Sequence, residues 1–164
     1  MFRKMRRHAQ LLPEEETALI MKNASSGVLA VSGDDGYPYA VPLSYVYDGE
    51  CIYFHCAVTG HKIDAIRQNP RVSFCVTARD DILPEKFTTQ FASVIVFGKA
   101  EILTDKEKKI AALRMLAEKY SPGVGDADQE ISGSLDHTCV VRITVEHMTG
   151  KEAIELTRQR KNNQ

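Results

Sequence analysis

Cys51-Ile-Tyr-Phe-His-Cys-Ala-Val-Thr-Gly-His-Lys-Ile-Asp-Ala-Ile-Arg-Gln-Asn-Pro70 is the stretch on which the fold turns. It reads as a strand over Cys51 to Ala57, a turn over Val58, Thr59 and Gly60, and a short helix from His61. The helix must stop before Pro70, because the residue preceding a proline is pushed out of the helical region. Free backbone N–H groups and the positive end of a new helix meet at the turn, which is an anion site in outline. His61 and Lys62 add cationic side chains there. A phosphate-bearing ligand is the economical reading, although many strand–turn–helix units of this composition bind nothing.

Working outward toward the N-terminus, Asp48-Gly49 is a hairpin turn that joins the strand to a preceding one over Tyr37 to Tyr47. That strand carries Pro38 and Pro42. Proline cannot donate to a ladder, so Pro42 belongs at a bulge or an unpaired stretch, or on an ordinary edge strand. Gly33-Asp-Asp-Gly36 turns back to a strand over Gly27 to Ser32. Pro13 to about Ala24 is a helix, with proline at its start and Glu14, Glu15 and Glu16 against its positive end. Residues 1–12 form a basic arm with Arg3, Lys4, Arg6, Arg7 and His8. They read as a mobile chain end or as an arm that brings an arginine to a neighbouring subunit or a ligand phosphate.

In the other direction, Arg71 to Arg79 is a strand with Val72, Phe74 and Val76 on one face. Asp80 to Lys86 is a polar loop. Gln90 to Leu103 is long for a strand, and Gly98 marks a bulge or bend in it. Thr104 or Asp105 caps a helix that runs to about Tyr120, with Ile110, Leu113, Leu116 and Ala117 as its apolar stripe. Asp126 to His137 is polar, with room for one helical turn. Thr138 to His147 is the last strand, and the tail over 157–164 reads as frayed. The expected fold is therefore mainly β: a single domain over residues 1–164, built as a six-stranded antiparallel barrel with peripheral helices and closed so that no edge is exposed.

Composition narrows the function. The chain has 164 residues, 43% hydrophobic and 26% charged, enough for one ordinary core. A formal net charge of −1 gives no reason to expect nucleic acid or an anionic membrane as partner. No apolar run reaches membrane-spanning length, and no apolar core follows the basic start as in a secretory signal. Cys51, Cys56, Cys75 and Cys139 form no C-x-x-C pair, and each lies in or beside an apolar run. They read as free thiols in a reducing cytoplasm. The five histidines lack metal-ligand spacing, so no metal is expected. Dinucleotide, Walker, zinc-protease and nucleophile-elbow motifs are all missing. Any redox or group-transfer chemistry would therefore fall to a bound cofactor. His55, at the end of its strand, is either a hydrogen-bonded structural residue or a ligand contact.

Several words in order carry a resemblance: Gly27-Val-Leu-Ala30, Pro38-Tyr-Ala-Val-Pro-Leu43, Ile52-Tyr-Phe-His55, Gly60-His-Lys62, Asn69-Pro-Arg-Val-Ser-Phe74, Ser93-Val-Ile-Val-Phe-Gly98 and Met148-Thr-Gly-Lys151. Over about residues 1–155 the chain resembles the FMN-binding split-barrel proteins related to pyridoxamine 5′-phosphate oxidase. Within that group the resemblance is to the NimA-like branch, named for 5-nitroimidazole resistance. It implies a split barrel and a homodimer with FMN in each of two interface clefts. Gly60, His61 and Lys62 would hold the phosphate. Val41, Pro42, Leu43 and Ser44 would line the isoalloxazine ring. His55, Cys56 and Ala57 would lie beside the ribityl chain and ring, with Ser93 and Val94 closing the other side. The chain departs from the family at His61, where an arginine is common, and at Cys56, where a small residue is. The implied activity is oxidoreduction, from a reduced nicotinamide donor to a small acceptor such as a nitro-aromatic compound, with His55 as candidate proton donor. The alternatives are a non-catalytic FMN storage or redox-sensing module, or a barrel that binds haem or a deazaflavin.

Overall fold

The computed structural model describes residues 1–162. Seven strands form one antiparallel sheet. They are β1 (Gly27–Ser32), β2 (Pro38–Leu43), β3 (Val46–Tyr47), β4 (Cys51–Ala57), β5 (Arg71–Leu83), β6 (Thr88–Ile102) and β7 (Thr138–Glu152). The order across the sheet is β2-β1-β5-β6-β7-β4-β3. Five helices surround it: α1 (Glu14–Asn23), α2 (His61–Gln68), α3 (Lys106–Tyr120), α4 (Ala127–Ser134) and α5 (Ile154–Asn162).

The expected six strands become seven because the run from Tyr37 to Tyr47 is two strands. β2 pairs with β1, whereas β3 pairs with β4 at the opposite edge. The chain crosses between the edges at Ser44 and Tyr45. Tyr45 is fully buried there. Its hydroxyl donates to the Met21 carbonyl and its N–H to the Tyr120 hydroxyl, both at 2.8 Å. The two edges thus approach each other at this crossing, but no ladder joins β2 to β3 among the described residues. The sheet wraps a core without closing, which corrects the expected closed barrel.

Pro42 is in register opposite Val28. It tolerates the ladder because β2 is an edge strand, so its missing donor faces no second strand. The bulge falls where Gly98 placed it, between Phe97 and Gly98. A Cβ on Gly98 would collide with the Thr144 carbonyl and crowd the Ile143 side chain. The segment expected as a polar loop continues β5 to Leu83, pairing with β6 as far as Thr88. Both faces of this hairpin extension are wet, so its side chains carry no alternation and only backbone pairing defines it. β7 likewise runs on to Glu152.

Leu29, Phe74, Val76, Val94, Val96, Val141 and Ile143 fill the core with Met21, Ile52, Phe54 and Ile63. A second cluster lies under α3 and α4, where Leu113, Leu116, Ile131 and Leu135 pack on Val140. Asp105 caps α3 by accepting from the Lys108 N–H at 2.9 Å.

Both ends of the described chain, residues 1–162, are held. The arm ends in a tight turn over His8–Gln10, with Gln10 and Leu12 buried. Leu11 bridges to Lys151, and the Leu12 N–H donates to the Gly150 carbonyl at 3.0 Å. Phe2 stacks on His147 with ring centroids 4.8 Å apart. The tail expected to fray forms α5. Thr157 is buried and the Arg160 guanidinium binds the buried Glu152 carboxylate at 2.8 Å. Positions 163–164 of that tail lie outside the described residues.

Candidate functional site

The site expected from sequence centres on the step from β4 into α2. Gly60 precedes the helix with φ 128°, a left-handed conformation that glycine takes without a Cβ penalty. Its carbonyl accepts from the Ile63 and Asp64 N–H groups, at 2.9 and 3.1 Å, which starts the helix. The His61 and Lys62 N–H groups then have no carbonyl behind them. Among the described residues neither finds an acceptor. The Lys62 ammonium has no carboxylate within 4.0 Å among the described residues. Two free donors, one free cation and the positive helix end make this turn chemically fit for a phosphate.

The His61 side chain is committed elsewhere. Its ring stacks on Tyr39 of β2, centroids 4.2 Å apart, and Nε2 lies 3.6 Å from the Asp34 carboxylate. The helix start is thereby fastened to the β1–β2 turn. The Asn69 amide fastens the other end of α2, donating to Ser32 Oγ at 3.1 Å. Asp34, Tyr39 and Ser32 escaped the sequence reading. Their partners are distant in the chain, and no local pattern announces such contacts.

Alternation along β4 divides its candidates. His55 lies opposite Val140, and Cys56 lies opposite Cys139. Cys56 packs against the core wrapped by the sheet. His55 shares its face with Tyr53, which packs against the cluster beneath α3. The Lys62 ammonium acts on the Cys56 and Cys139 thiols and favours their ionised forms. Desolvation outweighs it and pushes Cys56 up to about 11. Ala57 is exposed at the end of the strand.

The other candidates are spread across the sheet. Val41 and Leu43 are half-buried, while Pro42 and Ser44 are exposed. Val94 is fully buried in the core, so its side chain is closed to a ligand of this protomer. Ser93 faces the opposite way, between Thr77 and Lys151. β7 separates Ser93 and Val94 from the β4 cluster. Ala57 pairs with Thr138 at one end of this strand and Ser93 with Lys151 at the other, on the order of 40 Å along a strand. One protomer therefore unites residues 55–57 with 60–62 and, through the His61–Tyr39 stack, with β2. It does not bring Ser93 and Val94 to them.

The five strands from β2 to β7 have a second face of unusual character. Cross-strand register places Pro42, Val28, Cys75, Ile95 and Thr149 in one row. The next row is Ala40, Ala30, Ser73, Phe97 and His147. None of these is Asp, Glu, Lys or Arg, and none is buried in the single protomer.

The family model described as Pyridoxamine 5′-phosphate oxidase matches residues 13–152. An uncharacterized protein of Rhizobium meliloti (strain 1021) is 30% identical over 152 residues, which is 88% of this chain and 95% of that protein. The crystal structure of an FAD-binding protein from Mesorhizobium loti is 30% identical, with a TM-score of 0.63, over 87% of this chain and 96% of that one. A structure from Bacteroides thetaiotaomicron, described as that of a candidate 5-nitroimidazole antibiotic resistance protein, shares the fold with a TM-score of 0.76. It is 22% identical over 87% of this chain and 86% of that one. On the family match and the Rhizobium relative together, the chain belongs to the pyridoxamine 5′-phosphate oxidase family.

Proposed function

We propose that this protein binds a flavin, with a flavin phosphate on the His61 and Lys62 N–H groups and the Lys62 ammonium. The observation that carries this reading is the unpaired donor set at the start of α2, held in place by Gly60 and the His61–Tyr39 stack. FMN is the proposed cofactor, since its terminal phosphate suits a compact site of this kind. FAD is the second reading, favoured by the 30% identical FAD-binding protein from Mesorhizobium loti.

The functional unit is a homodimer joined through the uncharged face of β2, β1, β5, β6 and β7. An open antiparallel sheet face that meets water normally carries polar and charged side chains. Two adjacent rows of five outward positions without a charge instead suit a second protein surface. The dimer also accounts for the separation of Ser93 and Val94 from Lys62, since a cleft between two protomers can draw its walls from both.

The proposed activity is oxidoreduction in the cytoplasm, from a reduced nicotinamide donor to a small acceptor such as a nitro-aromatic compound. The flavin supplies the electron-transfer chemistry when bound. The chain binds the phosphate, positions the ring along Val41 to Ser44 and limits water at the interface. His55, on the face of β4 opposite to Cys56, is the proposed proton donor near the ring. His55→Ala is expected to keep its flavin and lose turnover, checked by steady-state oxidation of NADH or NADPH; unchanged turnover with flavin still bound would remove the role. That same assay separates an enzyme from a module that only stores flavin.

The absorbance spectrum of the freshly purified protein, with mass analysis of what heat releases, is the primary test. FMN or FAD in the supernatant supports the reading and chooses between the two. A protein that is colourless and ignores both added flavins overturns it, and a haem spectrum would point to the other ligand expected for such barrels. Lys62→Ala is expected to weaken flavin binding by about 1.5–3 kcal/mol, the value of one charge-assisted contact. Unchanged affinity in a fluorescence titration would move the phosphate elsewhere.

A further inference from the structure

We propose that Cys56 and Cys139 form a reversible cross-strand dithiol–disulfide pair at the base of the α2 turn, an oxidative modification site beside the proposed phosphate turn. The two residues are direct partners in the β4–β7 register. Opposed residues of an antiparallel pair share a face, with Cα atoms about 4.5–5.5 Å apart. That separation lies inside the range of about 4.4–6.8 Å that a disulfide spans. Both cysteines are free thiols. The remaining two are internal controls: Cys51 is opposite Thr144, and Cys75 lies between Val28 and Ile95, so neither faces another cysteine.

The two thiols differ in access. Cys139 is buried, whereas Cys56 is only half-buried and sits at the candidate site. The charged groups acting on the pair are Lys62 and Arg67 of α2 and Lys109 of α3, all cations. Burial nevertheless raises both thiols above their ordinary value. The pair therefore stays protonated near neutral pH and reacts slowly, with a rate that follows the thiolate fraction.

Hydrogen peroxide is a sufficient oxidant. The Cys56 thiolate attacks one peroxide oxygen and the O–O bond breaks, leaving a sulfenic acid and hydroxide. The Cys139 thiolate then attacks the Cys56 sulfur, forming the S–S bond and expelling a second hydroxide. Each hydroxide takes up one of the two thiol protons. Two thiols and one peroxide thus become one disulfide and two waters. The thiols lose two electrons and the peroxide gains them.

The full chain, stripped of any ligand, is treated with hydrogen peroxide, digested without reduction and mapped by mass spectrometry. The expected product is one linked pair of peptides carrying Cys56 and Cys139, lighter by two hydrogens and separated again by dithiothreitol. Cys51 and Cys75 remain open to alkylation. The rate of linkage should rise about tenfold per pH unit below the thiol pKa. In Cys139→Ser, checked for native circular dichroism, Cys56 should accumulate as a sulfenic acid that dimedone captures. Linkage of other cysteines, a bond between two chains, or overoxidation of Cys56 with Cys139 still reduced would each overturn the proposal. Because the readout is made without flavin, it stands or falls independently of the cofactor assignment.

Discussion

The two faces of the β2-β1-β5-β6-β7 sheet are built from the same strands, yet they solve different problems. The inner face carries Leu29, Phe74 and Val96, all fully buried. The outer face carries Val28, Cys75 and Ile95 one residue away, and Val28 is 37% exposed. Neither face has a charge in its central rows. An inner face of that composition is explained by the core beneath it. Among the described residues the outer face has no such cover beyond Phe2 of the arm, which stacks on Phe97 and His147. The contrast teaches that composition alone does not locate a core. A sheet apolar on both faces is finished only when something lies against each.

Substitutions can test this division. Phe74→Ala, on the inner face, is expected to cost about 3–5 kcal/mol of folding stability, the range for an aromatic removed from a packed core. Chemical denaturation at fixed protein concentration measures it, and a loss below about 1 kcal/mol would mean that the inner face is not the core. Ile95→Lys, on the outer face, should leave the protomer folded while setting a charge against the partner surface in the proposed dimer. Burying an unpaired charge there would cost several kcal/mol of association, so sedimentation should shift the proposed dimer to monomer. A dimer that persists would place the interface elsewhere. Val28→Thr is the mildest probe, expected to change unfolding of the isolated protomer by no more than about 0.5 kcal/mol, as for other positions exposed in the protomer.

Much of the fold was legible because its signals are local. Gly60 before His61 announced a helix start, Gly98 a bulge, and Asp105 was one of two residues expected to cap α3. The strands of the core alternated as half-buried strands do. The errors occurred where long-range contacts decide. Nothing near Ser44 signals that the chain changes edges there, since the contacts that hold Tyr45 at the crossing, to Tyr120 and Met21, are remote in sequence. The outer half of the β5–β6 hairpin has no buried face, so it lacks the pattern by which strands are recognised. The phosphate turn could be read from Gly60, His61 and Lys62. Commitment of the His61 ring to Tyr39 and Asp34 could not, because three separate elements must first assemble. Ser93 and Val94 entered only through the family resemblance, and one protomer leaves them apart from the rest.

The clasp between the two chain ends also has a kinetic side. Leu11 meets Lys151, Leu12 meets Gly150, and Arg160 reaches both Glu152 and Glu16. Apart from the local Arg160–Glu152 pair, these contacts close loops of nearly the whole chain, so their entropy must be paid before they return anything. The arm has no surface to dock on until β7 is in place between β6 and β4. It should therefore be among the last segments to order and the first to open. Hydrogen exchange at the Leu12 amide would then report on completion of the fold, while the amides of β5 and β6 report on its start.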